Sequence, residues 1–448
     1  MQETSISTAN LEQCLKCNLC TLVCPMLAVN EQYPGPKKAG PDGERYRIKD
    51  PEYYDYALKY CLNCKRCEVA CPSGVKIGDM IQTARIKYGS QSKVRSLHGL
   101  RDWTLASTDF VGGMTASPLA PVANGVLATG VAKAVLHGTL GVDKHRTFPA
   151  YSSQKFETWF RKEALPAQAG FDKKVSFFHG CYVNYNYPQL GKDFVKVVNA
   201  AGYGVQLLER EKCCGIALMS NGFAAKAARQ GRINLESIRK ADGPVLTVSS
   251  SCTHMMREEY PEVLGLPNED VKDNIMLLTR WLYPRLASGE IKLNFRKDFH
   301  MKVAYHTACH MQRMGWQQFT IEILRMIPGL ELTVLEPYCC GISGTFGFKK
   351  ENYPYSQAIG ELLFSEIRKA QAQAVGTTRA EDKAAGSSQG EKPAQAEGAG
   401  AALSTPAEGA EIPFVVATEC ETCKWQIEMS TGIPVMNPVS IIAQALEK

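Results

Sequence analysis

Cys61-Leu-Asn-Cys64-Lys-Arg-Cys67-Glu-Val-Ala-Cys71-Pro72 repeats a pattern the chain has already used once, as Cys14-Leu-Lys-Cys17-Asn-Leu-Cys20-Thr-Leu-Val-Cys24-Pro25. In each copy two residues separate the first three cysteines, three separate the last pair, and a proline follows. Three thiolates so spaced on a short turn-rich loop wrap three corners of an iron–sulfur cubane, while the fourth faces away and reaches the other cube. The spacing therefore predicts Cys14, Cys17, Cys20 and Cys71 around one [4Fe-4S] cluster, and Cys61, Cys64, Cys67 and Cys24 around a second. The prolines fix φ where the chain leaves each loop. Gly74 and Gly78 allow close backbone approach after the second copy. Four-cysteine zinc sites also use two-residue spacers. Two complete copies, each with the longer third spacer and the proline, favour iron–sulfur clusters over zinc.

Outward from these loops, composition sets the class. The 448 residues hold 17 cysteines, an odd number that excludes a fully paired disulfide framework. A chain of this length buries ample apolar surface without covalent staples. Met1 to Asn10 has neither a basic nor an apolar run of the kind a secretory signal needs. The thiols are accordingly expected in a reducing compartment, where clustered cysteines mean metal or redox chemistry. A net charge of +6 without a Lys/Arg block gives no nucleic-acid track. Bound clusters, each roughly −2 with its thiolates when oxidised, would bring the chain nearer neutrality.

Four regions follow: a two-cluster ferredoxin-type domain over 1–90, a cysteine-free connection over 91–170, and two α/β units over 171–300 and 301–448. Residues 370–411, built from Ala, Gly, Glu, Ser, Thr, Gln and Pro, read as a disordered insertion in the second unit. In the connection, Leu119–Leu136 comes nearest to a membrane span but is interrupted by Pro121, Asn124, Gly125, Gly130 and Lys133. It reads as a Gly/Ala-rich helix, either plainly structural or lying on a membrane or a partner. Lys133, His137, Lys144, His145 and Arg146 on its flank suit anionic headgroups.

The two α/β units repeat one plan. Short apolar runs at Val175–His179 and Val303–His306 lead to Cys181 and Cys309. Helix-period stretches near Leu190–Ala201 and Thr320–Ile327 come next, then strands at Val205–Leu208 and Leu332–Leu335 and Cys-Cys-Gly at 213–215 and 339–341. Third strands, Pro244–Val248 and Pro413–Ala417, end near further cysteines. Alternating strands and helices predict a parallel-type sheet in each unit, the two related by an internal pseudo-twofold. The fold class is thus a mixture: an α-helical ferredoxin-type domain, then two pseudo-symmetric α/β repeats.

Adjacent cysteines point to opposite sides of a regular strand and share a site only at a bend, which Gly215 and Gly341 permit. The second unit offers five thiols, Cys309, Cys339, Cys340, Cys420 and Cys423, and the first only four, Cys181, Cys213, Cys214 and Cys252. Ser249 stands where the second unit has Cys420. One or two further iron–sulfur clusters, a redox thiol pair, zinc, or inert buried cysteines all remain readings of these nine. His179, His306 and His310 lie nearby and are expected as hydrogen-bonded core residues. No G-x-G-x-x-G fingerprint, P-loop or H-E-x-x-H occurs. Without a flavin or nicotinamide motif, the expected role is carrying single electrons for a catalytic partner.

Tandem ferredoxin loops followed by duplicated Cys-Cys-Gly units resemble the iron–sulfur subunit family that includes glycolate oxidase, heterodisulfide reductase and lactate-utilisation components. The stretches Tyr33–Arg45, Cys61–Pro72, Cys339–Pro354 and Cys420–Met429 narrow the resemblance to the iron–sulfur subunits of bacterial anaerobic glycerol-3-phosphate dehydrogenases. The resemblance implies a flavin-containing catalytic partner that oxidises glycerol 3-phosphate, a second accompanying subunit, and electron transfer toward menaquinone. It also implies a peripheral position on the cytoplasmic side of the bacterial inner membrane, with this subunit as the anchor. The 309–423 set matches the pattern that holds a non-cubane cluster in heterodisulfide reductase relatives. Two other functions stay open: disulfide or quinone chemistry at a Cys-Cys-Gly cluster, and a docking scaffold whose Cys-Cys-Gly units hold no metal.

Overall fold

A computed structural model describes residues 11–53, 55–88, 96–374, 376 and 412–447. Two four-stranded, wholly parallel sheets organise it. The first contains β1 (Lys174–Phe177), β2 (Gly204–Leu207), β3 (Val245–Thr247) and β4 (Ile275–Leu277), in the order β2-β1-β3-β4. The second repeats that order with β5 (Met301–Tyr305), β6 (Leu330–Val334), β7 (Phe414–Ala417) and β8 (Val435–Met436), as β6-β5-β7-β8. Central strands buried on both faces read as near-continuous apolar runs; β7 (Phe-Val-Val-Ala) does so throughout, while β1 and β3 each bury one hydroxyl residue, Ser176 and Thr247, among their apolar side chains.

The duplication and parallel pairing thus match the sequence reading, with strand ends displaced by one or two residues. The fourth strand of each sheet has no clear sequence signal. Ile275–Leu277 and Val435–Met436 are too short to stand out as apolar runs, and they register only against β3 and β7.

The units are interleaved rather than merely adjacent. Helix Pro438–Ala445 of the second packs on helix Pro188–Ala200 of the first, where Ser440 Oγ donates to Asp193 at 2.5 Å. Helix Leu278–Ala287, after β4, packs on Gln317–Arg325. One core runs through both units, with Phe177, Phe194, Trp281, Tyr305 and Ile442 all essentially inaccessible. Burying side chains of this size contributes about 1.5–3 kcal/mol each.

The ferredoxin-type module is helical, and its core accepts Phe346 and Ile359 from the second unit. The connection forms helices Leu97–Ala106, Thr108–Thr115, Ala120–Ala128 and Gly130–Thr139. Leu119–Leu136 is therefore two helices, divided where Thr129 is extended (ψ 141°) and caps the second by accepting from the Ala132 amide at 3.2 Å. Among the described residues no helix is long and apolar enough to cross a membrane.

Two further expectations need correction. Arg146 does not face outward. It is buried, with Nη1 on Gln426, Nη2 donating to Ser356 Oγ at 2.9 Å, and the guanidinium over the Tyr353 ring at 4.8 Å. The expected insertion also begins too early, because helix Tyr353–Ala374 carries through Ala370, which is buried. From 377 to 411 the insertion lies outside the described residues.

Candidate metal centres

The same local geometry builds both ferredoxin loops. Lys16 (φ 56°) and Asn18 (φ 67°) flank Cys17, and Asn63 (φ 52°) and Lys65 (φ 61°) flank Cys64, all in the left-handed region. Such a backbone costs a non-glycine residue on the order of 1–3 kcal/mol and persists where surroundings over-determine it. The two reversals coil each loop about its middle cysteine, and a short helix, Leu19–Leu22 or Arg66–Val69, starts directly after.

The folded loops collect thiols across the two motifs. Cys14, Cys71 and Cys17 all bear electrostatically on Cys20, whose thiol is pushed up chiefly by burial. Burial also pushes Cys24 up to about 12, with Cys64 and Cys61 as its thiol neighbours. Cys67 likewise neighbours Cys64 and Cys61, and buried Tyr33 neighbours Cys61, Cys24 and Cys67. The spatial sets are therefore 14, 17, 20, 71 and 24, 61, 64, 67. The Val75 amide donates to Cys71 Sγ at 3.4 Å, the type of contact that stabilises a thiolate. Gly78 is used as a close-approach glycine, but toward the Glu68 carboxylate, to which its amide donates at 2.8 Å.

In the α/β units every cysteine lies beyond the carboxyl end of a parallel strand, the usual position of sites on open parallel sheets. Cys181 follows β1, Cys213 and Cys214 follow β2, and Cys252 follows β3. Cys309, Cys339 with Cys340, and Cys420 with Cys423 occupy the same places around the second sheet. The bends at Cys-Cys-Gly are present: Gly215 has φ 90° and Gly341 φ 84°, and a β-carbon on Gly341 would collide with the Ser356 carbonyl.

Hydrogen bonding from Cys181 holds the Cys213 thiol well below its ordinary value, while that from Cys423 lowers Cys420 to about 5. Cys340 and Cys423 sulfurs are 3.2 Å apart, and the Gly341 amide donates to Cys339 Sγ at 3.4 Å. Burial, together with Cys64, Cys339, Cys420 and Cys340, pushes Cys309 up. Cys64 belongs to the ferredoxin-type module, so the second unit's site borders that module's inner thiol set.

Several residues that frame these sites carried no sequence signal. Lys65 is buried and pairs with Asp79, with Glu259 at 3.1 Å and with Glu68 at 3.7 Å. Asn63 Nδ2 donates to Glu259 at 2.6 Å, and Arg313 holds Glu68 at 3.0 Å. One loop of the ferredoxin-type module is thereby tied to both α/β units. Asp109, from the connection, accepts from the Cys213 amide at 2.7 Å, and burial pushes its carboxyl up to about 7.

Of the three histidines expected as hydrogen-bonded core residues, His179 and His310 are buried and hydrogen-bonded, whereas His306 is buried without a hydrogen bond and corrects the expectation. His179 lies 3.1 Å from Glu211, His310 stacks on His254 at 4.6 Å, and neither ring nitrogen of buried His306 has a hydrogen-bond partner. Among the described residues no three His, Cys, Asp or Glu side chains are arranged for a single metal ion. Buried thiol sets with amides aimed at sulfur fit a multi-iron cluster better than a lone ion.

Paired dicluster loops leading into two Cys-Cys-Gly sheets define an iron–sulfur protein in which a 4Fe-4S dicluster domain precedes a duplicated cysteine-rich domain. Residues 10–75 match the 4Fe-4S dicluster domain family, and residues 175–257 and 303–381 each match the Cysteine-rich domain family. In Escherichia coli (strain K12), the anaerobic glycerol-3-phosphate dehydrogenase subunit designated C is 48% identical, over 98% of this chain and all of the relative. The chain belongs to the family of that dehydrogenase subunit. More distant relatives include a fumarate reductase (CoM/CoB) component of Methanothermobacter marburgensis, 24% identical over 82% of this chain and 66% of the relative. Lactate utilization protein A of Geobacillus kaustophilus is 28% identical over 44% of this chain and 84% of the relative.

Proposed function

We propose that this chain is the electron-transfer subunit of an anaerobic glycerol-3-phosphate dehydrogenase, taking electrons from a flavin-containing catalytic subunit and delivering them toward menaquinone. In this reading the sets 14, 17, 20, 71 and 24, 61, 64, 67 hold two [4Fe-4S] clusters, and the thiols of the α/β units hold further iron–sulfur clusters. Bound clusters would supply one-electron redox capacity.

The single observation that carries the reading is adjacency of the thiol-bearing segments, with helix Leu19–Leu22 of the first ferredoxin loop packed on Arg66–Val69 of the second. Cys17, in the first of these loops, is exposed. Cys64 neighbours Cys309 and Cys339. Ser251, next to Cys252, lies 3.7 Å from Cys420. The chain's own residues fix that arrangement: Lys65 and Asn63 clamp the module in place, and Ser343 Oγ donates to the Leu62 carbonyl at 2.7 Å. Residues 119–139 serve as the anchor in this reading, because Leu119, Val122, Val126, Val131 and Val135 are exposed, with Lys144 beside them.

Copurification with a flavoprotein under anaerobic conditions tests the reading, together with nitrate- or fumarate-dependent glycerol 3-phosphate oxidation in a deletion strain. Loss of that oxidation is expected, and intact oxidation overturns the assignment. A second reading, disulfide or quinone chemistry within the chain itself, is favoured by a cavity between the units lined by Cys252, Cys420, Tyr182 and Tyr187. That reading requires turnover by the isolated chain, abolished in Cys340→Ser.

A further inference from the structure

The first unit is one thiol short of the second, and the residue at the corresponding position is committed elsewhere. Ser249 accepts from the Cys252 amide at 3.3 Å, capping helix Ser250–His254. Its hydroxyl meets both carboxylate oxygens of Glu421, at 2.9 and 3.2 Å.

Glu421 belongs to the second unit, between Cys420 and Cys423, but it reaches this serine because the loops after β3 and β7 are joined. The Ser250 amide donates to the Glu419 carbonyl at 2.9 Å, and Ser251 lies against Cys420. Glu421, Ser249 and Cys252 share one wall of the cavity between the units. Glu421 also bears electrostatically on Cys252, and Cys213 on Glu421. No lysine, arginine or histidine forms an ion pair with Glu421 among the described residues. Lys424 and His179 also line that cavity, but Lys424 pairs with Glu428 and His179 lies 3.1 Å from Glu211, so the Glu421 carboxylate faces thiols with no cation paired to it, a setting suited to a metal cation.

We propose that Glu421 supplies an oxygen ligand to iron held by Cys181, Cys213, Cys214 and Cys252, completing the first unit's ligand set from the second unit. Ser249 is the positioning residue, its hydroxyl directing the carboxylate. The exchange balances in charge: an ionised carboxylate brings the same single negative charge as the absent thiolate, and its proton is released to solvent on iron binding. The inference rests on the reading that the first unit carries a cluster.

The test uses the full-length chain, purified anaerobically, with iron and sulfide counted and Mössbauer and electron paramagnetic resonance spectra recorded. Roughly sixteen irons are expected if all four thiol sets are filled, with Cys214→Ser removing or altering one spectral component. Glu421→Gln should change that same component, or remove about four irons, and leave the two cubane signals intact. Glu421→Asp, which keeps the charge but withdraws the oxygens, should act in the same direction. Ser249→Cys in the Glu421→Gln background should restore the iron count.

Wild-type iron content and superimposable spectra in both Glu421 variants overturn the ligand. So does a change confined to the component that Cys340→Ser removes, because that places Glu421 at the second unit. A wild-type chain in which Cys214→Ser alters no iron component overturns instead the reading that the first unit carries a cluster, and the ligand with it.

Discussion

Single residues hold two kinds of constraint here, backbone geometry and buried charge. Gly341 illustrates the first. With φ 84° and the Ser356 carbonyl where a β-carbon would go, Gly341→Ala has no relaxed conformation. Under the proposed cluster assignment, the variant is expected to lose the second unit's iron selectively, read as a lower iron count with the cubane signals retained. His306 illustrates the second. Burial first, and then Arg66, push its imidazole down to about 3, so the folded chain holds it neutral and the unfolded chain protonates it near its ordinary value of about 6.5. Its stabilisation is therefore complete above about pH 6.5 and is lost as pH falls toward about 3. Buried Glu419, raised to about 7, acts with the opposite sign, favouring the folded state most strongly below its unfolded value and less as pH rises to about 7. Comparing wild type with His306→Gln isolates the histidine. Guanidinium unfolding between about pH 4 and 6 should show a pH slope smaller by about 1.4 kcal/mol per unit in the variant.

At the scale of elements, the two helices over 120–139 bury almost none of their apolar residues. In Gly130–Thr139 no residue is buried, and in Ala120–Ala128 only Ala120 is. Exposing Val122, Val126, Val131 and Val135 together forfeits burial free energy, which a membrane surface would return. Replacing all four valines by serine should weaken sedimentation with anionic vesicles at least tenfold, while thermal stability and cluster spectra stay near wild type. Equal sedimentation removes this face as the anchor. The Thr129 cap divides the pair, a break that the run of apolar residues concealed.

For the whole molecule, Lys65 decides whether three modules behave as one. Three carboxylates surround its ammonium, Asp79 and Glu68 from its own module and Glu259 from the first unit, while Arg313 of the second unit secures Glu68. Removing one partner from a buried charge network costs about 3–5 kcal/mol, because the remaining charges stay buried. Lys65→Met should therefore lower the denaturation midpoint and allow limited proteolysis to separate the ferredoxin-type module. Cys61, Cys64 and Cys67 are all retained, but Lys65 bears electrostatically on Cys67, so iron content measured alongside the proteolysis separates docking from any effect on the thiols.

The ferredoxin spacing, the duplication and the parallel sheets were legible in the chain because each is written locally. Cysteine spacers of two and three residues bend a single loop, and apolar runs between helix-period stretches fall at matching offsets in both units. Thiols separated by dozens of residues could be grouped because the motif itself says which cysteine faces away. What the sequence could not express were contacts between modules. Asn63, Lys65, Asp109, Glu259 and Glu421 are ordinary polar residues along the chain, and they acquire meaning only when packing buries them beside thiols or opposite charges. Arg146 makes the same point in reverse, since a basic flank suggested a surface role and tertiary packing placed it against the Tyr353 ring. Local spacing determined which thiols of each loop can gather; burial and the seam between the units decided which charges surround them, because desolvation acts only once distant segments have come together.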